Sequence, residues 1–568
     1  VKAPLLWSPD RPSLYHLLVT VKDANGGVCT DSTEIGFRSY QFVDHGPFML
    51  NGARLLLQGT HRHEDAAGEG AAMTEAEMRR EMVLMKEMGV NYIRLAHYQQ
   101  SRIILHLCDS LGILVWEEIP WCRGGLGGAT YREQARRMLT NMISQHYNHP
   151  AVILWGLGNE NDWPGDFQEF DKEKIRSFMK ELNALAHRLD PGRKTAIRRC
   201  DFCSDIPDVY SPSIWAGWYR GIFTEYAAAT EEEFKKVSHF VHMEWGGDSH
   251  ARRHSENPDK ALLNVHGGQG TDERAGDASL YGGAARVSKD GDWSESYICN
   301  LFDWHLKAQE KMPWLTGAAQ WVFKDFSTPL RPDNPVPFVN QKGVVERDGT
   351  LKESYFVFQS YWTSKLMAHI YGHSWPVRWG DEGEARMVKL YSNAAEAELF
   401  VNGVSAGLRH RNSQDFPAAG LRWAVTFHKG KNSLVAVARR GTAVVRDSVT
   451  FDYQTEKWGK PTKMEMDRLS GSETVAGGLP RASGDTVWVR VRLLDAKGVT
   501  CLDAANRIHW GLAGDGRLVD DLGTSTGSRV VQTFNGVSMI RVVLQGGRSV
   551  ISAASEGLPT VFFDLKNE

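Results

Sequence analysis

The run Ala151–Trp155, AVILW, is apolar throughout, and beyond Gly156, Leu157 and Gly158 it ends in Asn159 and Glu160. A strand buried on both faces places polar side chains at its exit, where they can reach a ligand. A second carboxylate, Glu244, closes another short apolar segment, FVHME. Two carboxylates at the ends of separate strands suit glycosidic cleavage: one protonates the departing oxygen and the other attacks the anomeric carbon. On this reading Trp155 and Trp163 form an apolar wall that keeps Glu160 protonated, while Glu244 needs hydrogen-bond donors to stay ionised. Asn159 would bond the sugar's 2-hydroxyl. A carboxylate separation of about 5–5.5 Å would mean retention through a covalent sugar–enzyme intermediate.

Positioning such groups requires strands that share one open end. From about Leu55 the sequence alternates strand and helix. Thr74 to Glu77 reads as a capping box, with Met78, Met82 and Met85 on one helical face and Gly89 as the C-terminal stop. A second helix spans Ser101–Leu111 and stops at Gly112. Eight strands are predicted near Leu55–Gln58, Val90–Arg94, Ile113–Glu117, Val152–Gly156, Thr195–Arg199, Asp208–Ser213, Phe240–Glu244 and Gly317–Val322. That count suggests a (β/α)8 TIM barrel over residues 43–365, with chemistry at the C-terminal strand ends. The polar residues there are Arg94, His97, Glu117, Glu118, Asn159, Glu160 and Glu244, with Trp321 beside them. The glycine- and charge-rich stretch 266–292 reads as a lid, a specificity loop or a bulge.

The flanks are β-rich. Residues 1–42 read as three or four strands, too few for a stable sandwich alone, and 366–457 and 458–568 as two immunoglobulin-like β-sandwiches. Asn402-Gly403 is a hairpin dipeptide. The sandwiches are expected to scaffold the barrel or contact carbohydrate. A formal net charge of -3 offers no polyanion-binding surface, so nucleic acid is not an expected partner. No apolar run reaches the roughly 20 residues that span a bilayer, so no membrane is expected. The 7 cysteines are an odd count, and Cys200 and Cys203 make one lone C-x-x-C, which favours free thiols over a zinc site. The 19 tryptophans lean towards carbohydrate as partner. A homo-oligomer is compatible with all of this. The chain opens on Val1 without a leader, so it reads as starting inside a longer protein, and its location is unknown.

The segments GTHRHED, NYIRLAHY, LCDSLGILVWEEIPW, NHPAVILWGLGNE and HMEWGG together resemble glycoside hydrolase family 2, the group of β-galactosidases, β-glucuronidases and β-mannosidases. The resemblance implies a retaining exo-β-glycosidase acting on a carbohydrate substrate, with Glu160 as acid/base and Glu244 as nucleophile, and makes residues 1–42, with LWSPDRPSLY, the C-terminal part of the family's immunoglobulin-like β-sandwich. It also implies a sugar site built from Asp65, Arg94, His97, Asn159, Trp215, Tyr219, Trp321, Asn340 and Lys342. The family's magnesium-dependent members carry Glu-x-His after strand three. This chain has PWCRGG there, so no metal and no cofactor are expected, and turnover should survive a chelator.

The sugar is less plainly written. Asn340-Gln341-Lys342 resembles the N-x-K of β-glucuronidases, whose lysine pairs with the sugar's carboxylate. A neutral sugar would leave such a lysine unpaired. Against this, SPSIWAGWY has Ser213 and Trp215 where that group has asparagine and tyrosine. The tyrosine bonds the nucleophile, and an indole N–H could donate in its place. The paired C-terminal sandwiches resemble those of bacterial β-galactosidases. A β-galactosidase is therefore the first expectation, a β-glucuronidase or other uronidase the second. Two rival readings are an inactive carbohydrate-binding protein on the same fold and an endo-acting glycanase from another barrel family.

Overall fold

The computed structural model describes residues 1–164, 169–268, 283–412, 418–469 and 486–565. Its centre is a parallel barrel of strands β1 (Leu57–Arg62), β2 (Tyr92–Leu95), β3 (Leu114–Glu118), β4 (Val152–Asn159), β5 (Lys194–Arg198), β6 (Val209–Ser211), β7 (His242–Met243) and β8 (Gly317–Gln320). They pair in the order β6-β5-β4-β3-β2-β1-β8-β7. A parallel bridge from Tyr210 to Phe240 closes the ring, with Tyr210 N–H donating to His239 O and Val241 N–H to Tyr210 O.

Local signals in the sequence set the helices around it. In α1 (Glu75–Met88) Thr74 accepts from Glu77 N–H while the Glu77 carboxylate accepts from Thr74, and Met78, Met82, Met85 and Met88 are buried. Gly89 follows at φ 102°, a left-handed conformation that glycine adopts without strain. Helix α2 (Arg102–Leu111) is capped by Ser101 and ends at Gly112. Helices α3 (Ala129–His146) and α4 (Lys172–Leu189) follow β3 and β4. Between β5 and β6 the expected helix is replaced by a single 3-10 turn, Asp201–Cys203. Helices α5 (Tyr226–Phe234), α6 (Glu295–Glu310) and α7 (Glu353–Trp362) complete the outer layer. No described helix is long and apolar enough to cross a membrane.

At the N-terminal end, Tyr15–Lys22 pairs with Val28–Ile35 as an antiparallel, largely exposed ribbon. Trp7 is fully buried and its indole donates to Asp109 O on α2. After α7, a three-stranded and a five-stranded sheet enclose one apolar core. The hairpin between Glu396–Val401 and Val404–His410 turns at Asn402 (φ 50°) and Gly403 (φ 83°), both left-handed as a type I′ turn requires. Two four-stranded sheets form a last core, and it includes Val336 and Val339 from the loop after β8. This second sandwich therefore folds back onto the barrel mouth. Gln532 N–H donates to Pro335 O, and Arg507 donates to Asp333 O. Residues 269–282, within the stretch read as a lid, a specificity loop or a bulge, lie outside the described residues.

Candidate active site

The barrel strands alternate side chains between the barrel interior and the helical layer. On β3, Glu117 turns outward to His146 of α3 at 2.7 Å, while Glu118 turns inward to Arg94 and His97. On β4, Gly156 is bare because a Cβ there would lie 2.2 Å from Glu118 Cβ and 2.3 Å from Trp116 Nε1. The strand then ends at Asn159. Glu160 follows at φ 52° and Glu244 at φ 63°, both in a region that L-residues with side chains occupy at a cost of about 1–3 kcal/mol. Hydrogen bonds hold that backbone in place: Glu160 N–H donates to Arg198 O and Glu244 N–H to Ala319 O.

These two glutamates face one cavity of about 470 Å³. Its wall includes His97, Asn159, Trp215, Tyr219, Trp321, Asn340 and Lys342, so the structure gathers these sequence-predicted residues around Glu160 and Glu244. Arg94 sits beneath the floor, fully buried. It donates to both Glu118 oxygens at 2.9 Å, to Glu244 Oε1 at 2.6 Å and to Asn159 Oδ1 at 2.8 Å. His97 bonds Glu118 Oε1 through Nδ1 and stacks on Trp321 with ring centroids 5.1 Å apart. Asp65 is the exception. It forms a two-pronged pair with Arg347 at 2.7 and 2.8 Å and accepts from Ser327 N–H, and it is not part of the cavity wall. Its carboxylate anchors the loop after β8 rather than facing a sugar.

The expected apolar wall around Glu160 is not there. Trp155 points away, its indole donating to Asp190. Trp163 lines the cavity, but Arg123 and Arg199 lie over its ring at 4.2 and 5.3 Å. Burial alone would push the Glu160 carboxyl up. Arg198, then Arg199 and Arg123, outweigh it and hold the group at about 2. The resting site therefore carries Glu160 as a carboxylate, contrary to the sequence expectation.

Arg198 was missed by sequence reasoning, as were Arg199 and Arg123. Its Nη1 lies 2.5 Å from Glu160 Oε1 and 3.0 Å from Glu244 Oε2. Those two oxygens therefore cannot be farther apart than the two distances laid end to end, 5.5 Å. A limit of 5.5 Å for these two oxygens accommodates the carboxyl spacing of retaining glycosidases, about 5–5.5 Å, and lies below the roughly 6.5–9.5 Å of inverting ones. The available signal was the pair Arg198-Arg199 at the exit of a barrel strand, where buried cations need anionic partners.

Lys342 is 2 % exposed, a buried lysine rather than a solvated one. Its ammonium pairs with Asp248 Oδ2 at 2.6 Å and lies 5.4–5.9 Å from the Trp215, Trp218 and Tyr219 ring centres. Burial disfavours the charge, but Asp248 outweighs it and raises the ammonium's pKa. A neutral sugar would thus not leave this lysine unpaired, which softens that discriminator. Asn340 Oδ1 accepts from Lys342 N–H at 3.2 Å and fixes the local turn.

A family model described as "Glycosyl hydrolases family 2, TIM barrel domain" matches residues 42–366, and one described as "Glycosyl hydrolases family 2" matches 1–38. A domain of unknown function matches 383–446. A Formosa agariphila protein, provisionally named as a β-glucuronidase, is 43% identical over 96% of this chain, and the chain spans 65% of its length. The crystal structure of Parabacteroides merdae β-glucuronidase is 61% identical, with a TM-score of 0.96 over 100% of this chain and 70% of that one. A β-galactosidase of Bacteroides ovatus is 24% identical over 100% of this chain and 68% of its own length.

Proposed function

The chain belongs to glycoside hydrolase family 2, and from that premise we propose that it is a retaining exo-β-glucuronidase. The observation that carries the chemistry is the Arg198 nitrogen shared by Glu160 and Glu244. In this reading Glu244 attacks the anomeric carbon while Glu160 gives a proton to the leaving oxygen. Glu160 then takes a proton from the water that releases the sugar, and the β configuration is restored. The first half needs a proton on Glu160, so substrate must loosen the guanidinium contacts that favour its carboxylate. The resting site is set up for the second half.

A glucuronide is favoured over the β-galactoside that the sequence put first. Both names occur among relatives, but the 43% and 61% identical proteins carry the β-glucuronidase name. Lys342 adds a physical reason: an ammonium has three donors, and a uronate carboxylate in this cavity would share it with Asp248. The test is a panel of nitrophenyl β-glucuronide and β-galactoside with wild type and Lys342→Ala. The proposal expects a selective loss on the glucuronide. An equal loss on both substrates removes Lys342 from sugar choice, and a wild type that prefers the galactoside overturns the glucuronide reading. Release of single sugars from oligosaccharides, rather than a ladder of oligomers, checks exo action.

A further inference from the structure

Trp215 stands on the sixth strand's exit loop, where the resemblance leads one to expect a tyrosine donating to the nucleophile. The indole does not take over that bond: Trp215 Nε1 is buried and finds no acceptor among the described residues. Glu244 is nonetheless held on both oxygens, by Arg94 Nη1 on Oε1 and by Arg198 Nη1 near Oε2. Arg94 also neutralises Glu118, whereas the Arg198 nitrogen reaches Glu160 and Glu244 together. Arg198 is fully buried at the end of β5, so its charge acts with little solvent screening.

We propose that Arg198 is a positioning residue that ties the two catalytic carboxylates together and passes its electrostatic support from one to the other during turnover. The proposal rests on the reading of Glu160 and Glu244 as the reacting pair. As Glu244 bonds to the anomeric carbon, the bond to the leaving oxygen breaks and that oxygen takes the Glu160 proton. The resulting ester has no charge, so Arg198 then faces the newly formed Glu160 carboxylate alone. That carboxylate accepts a proton from water, whose oxygen bonds to the anomeric carbon. The ester electrons return to Glu244, which regains its share of Arg198.

The other titratable or charged groups facing Glu160 include Arg199 just after β5, Arg123 and Cys122 from the loop after β3, and His97 after β2. Those facing Glu244 are Arg94, backed by Glu118 and by His61 at 3.4 Å from Arg94 Nη1. All remain when Arg198 is replaced, so a charge effect is separable from theirs.

The experiment compares wild type, Arg198→Met and Arg198→Lys as full chains. One readout is kcat/KM against pH on nitrophenyl β-glucuronide. The other is inactivation against pH by 2-deoxy-2-fluoro-β-glucuronyl fluoride, which loads the nucleophile without needing the acid. Arg198→Met is expected to move both limbs of the kcat/KM profile upward by about one unit or more, with the acid limb of inactivation following. Arg198→Lys should keep the limbs near their wild-type positions while the rate falls. A slow Arg198→Met with unmoved limbs overturns the proposal and leaves Arg198 a packing residue. If Arg198→Met does not fold, Arg198→Gln, which keeps an N–H donor without charge, decides by the same limbs. A wild type that hydrolyses no β-glycoside sinks the underlying site reading, and this proposal with it. An active wild type with unmoved limbs in the neutral variant sinks only this one.

Discussion

Lys342 and Lys352 are two buried ammonium groups ten positions apart, each beside an aspartate, and their surroundings differ. Lys352 donates to Asp325 Oδ1 at 2.9 Å and to the carbonyls of Ser249 and Gln341 at 3.0 Å each, so its three N–H groups are spent on protein. Lys342 meets Asp248 and otherwise aromatic faces, and it borders the cavity. The carbonyls that Lys352 grips belong to the neighbours of Asp248 and Lys342. Gln341 N–H also donates to Asp248 Oδ1, and Ser249 N–H donates to Gln341 O. One lysine thus fixes the frame in which the other is displayed. The difference between a structural and a ligand-facing charge lies in how many of its donors the protein has already used.

The largest expected effect is on stability, at the fully satisfied lysine. Lys352→Met leaves Asp325 and the Ser249 and Gln341 carbonyls in the interior without their shared donor and should cost about 3–5 kcal/mol, read by denaturant unfolding. If Lys342→Met costs as much, the contrast between the two disappears. Next comes Lys342→Ala, expected to lower kcat/KM on nitrophenyl β-glucuronide about 100-fold, near the roughly 3 kcal/mol of a strong bond to a charged group. Its Tm should change less than that of Lys352→Met. Smaller again is Val339→Ala, which trims the joint between the second sandwich and the loop carrying Lys342. It should cost about 1–2 kcal/mol and raise KM for the glucuronide more than it lowers kcat.

A pH dependence is also expected at the Lys352 pair. Burial raises the Asp325 carboxyl to about 7, with Lys352 opposing only in part. The folded state then holds a proton that the unfolded chain gives up near its ordinary value of 3.8. This contribution to stability is greatest below that value and is lost as pH rises through about 7. The stability gap between wild type and Asp325→Asn should therefore drift between pH 4 and 7. A gap constant across that range would contradict the assignment.

Much of the barrel was legible because its signals are local. The Thr74 cap, the Gly89 and Gly112 stops and the apolar run into Asn159 each act within a few residues, and the eight strands fall where periodicity placed them. The 3-10 turn after β5 broke the expected alternation, and the same weak segment hid Arg198 and Arg199. Glu160's charge state could not be read from its neighbours in sequence. Trp155 and Trp163 suggested apolar surroundings, while the deciding guanidiniums come from 37 or 38 residues away for Arg123 and Arg198. Asp65 sits in a motif that resembles a sugar site, yet Arg347, 282 residues on, claims its carboxylate. The return of the second sandwich to the barrel mouth through Val336 and Val339 has no local signature at all.

The central claim is that Glu160 and Glu244 act across one anomeric carbon with net retention. It is tested most directly by following the first-formed sugar from an aryl β-glucuronide by proton NMR, before mutarotation. The account predicts that the β-anomer appears first. The α-anomer appearing first would contradict it.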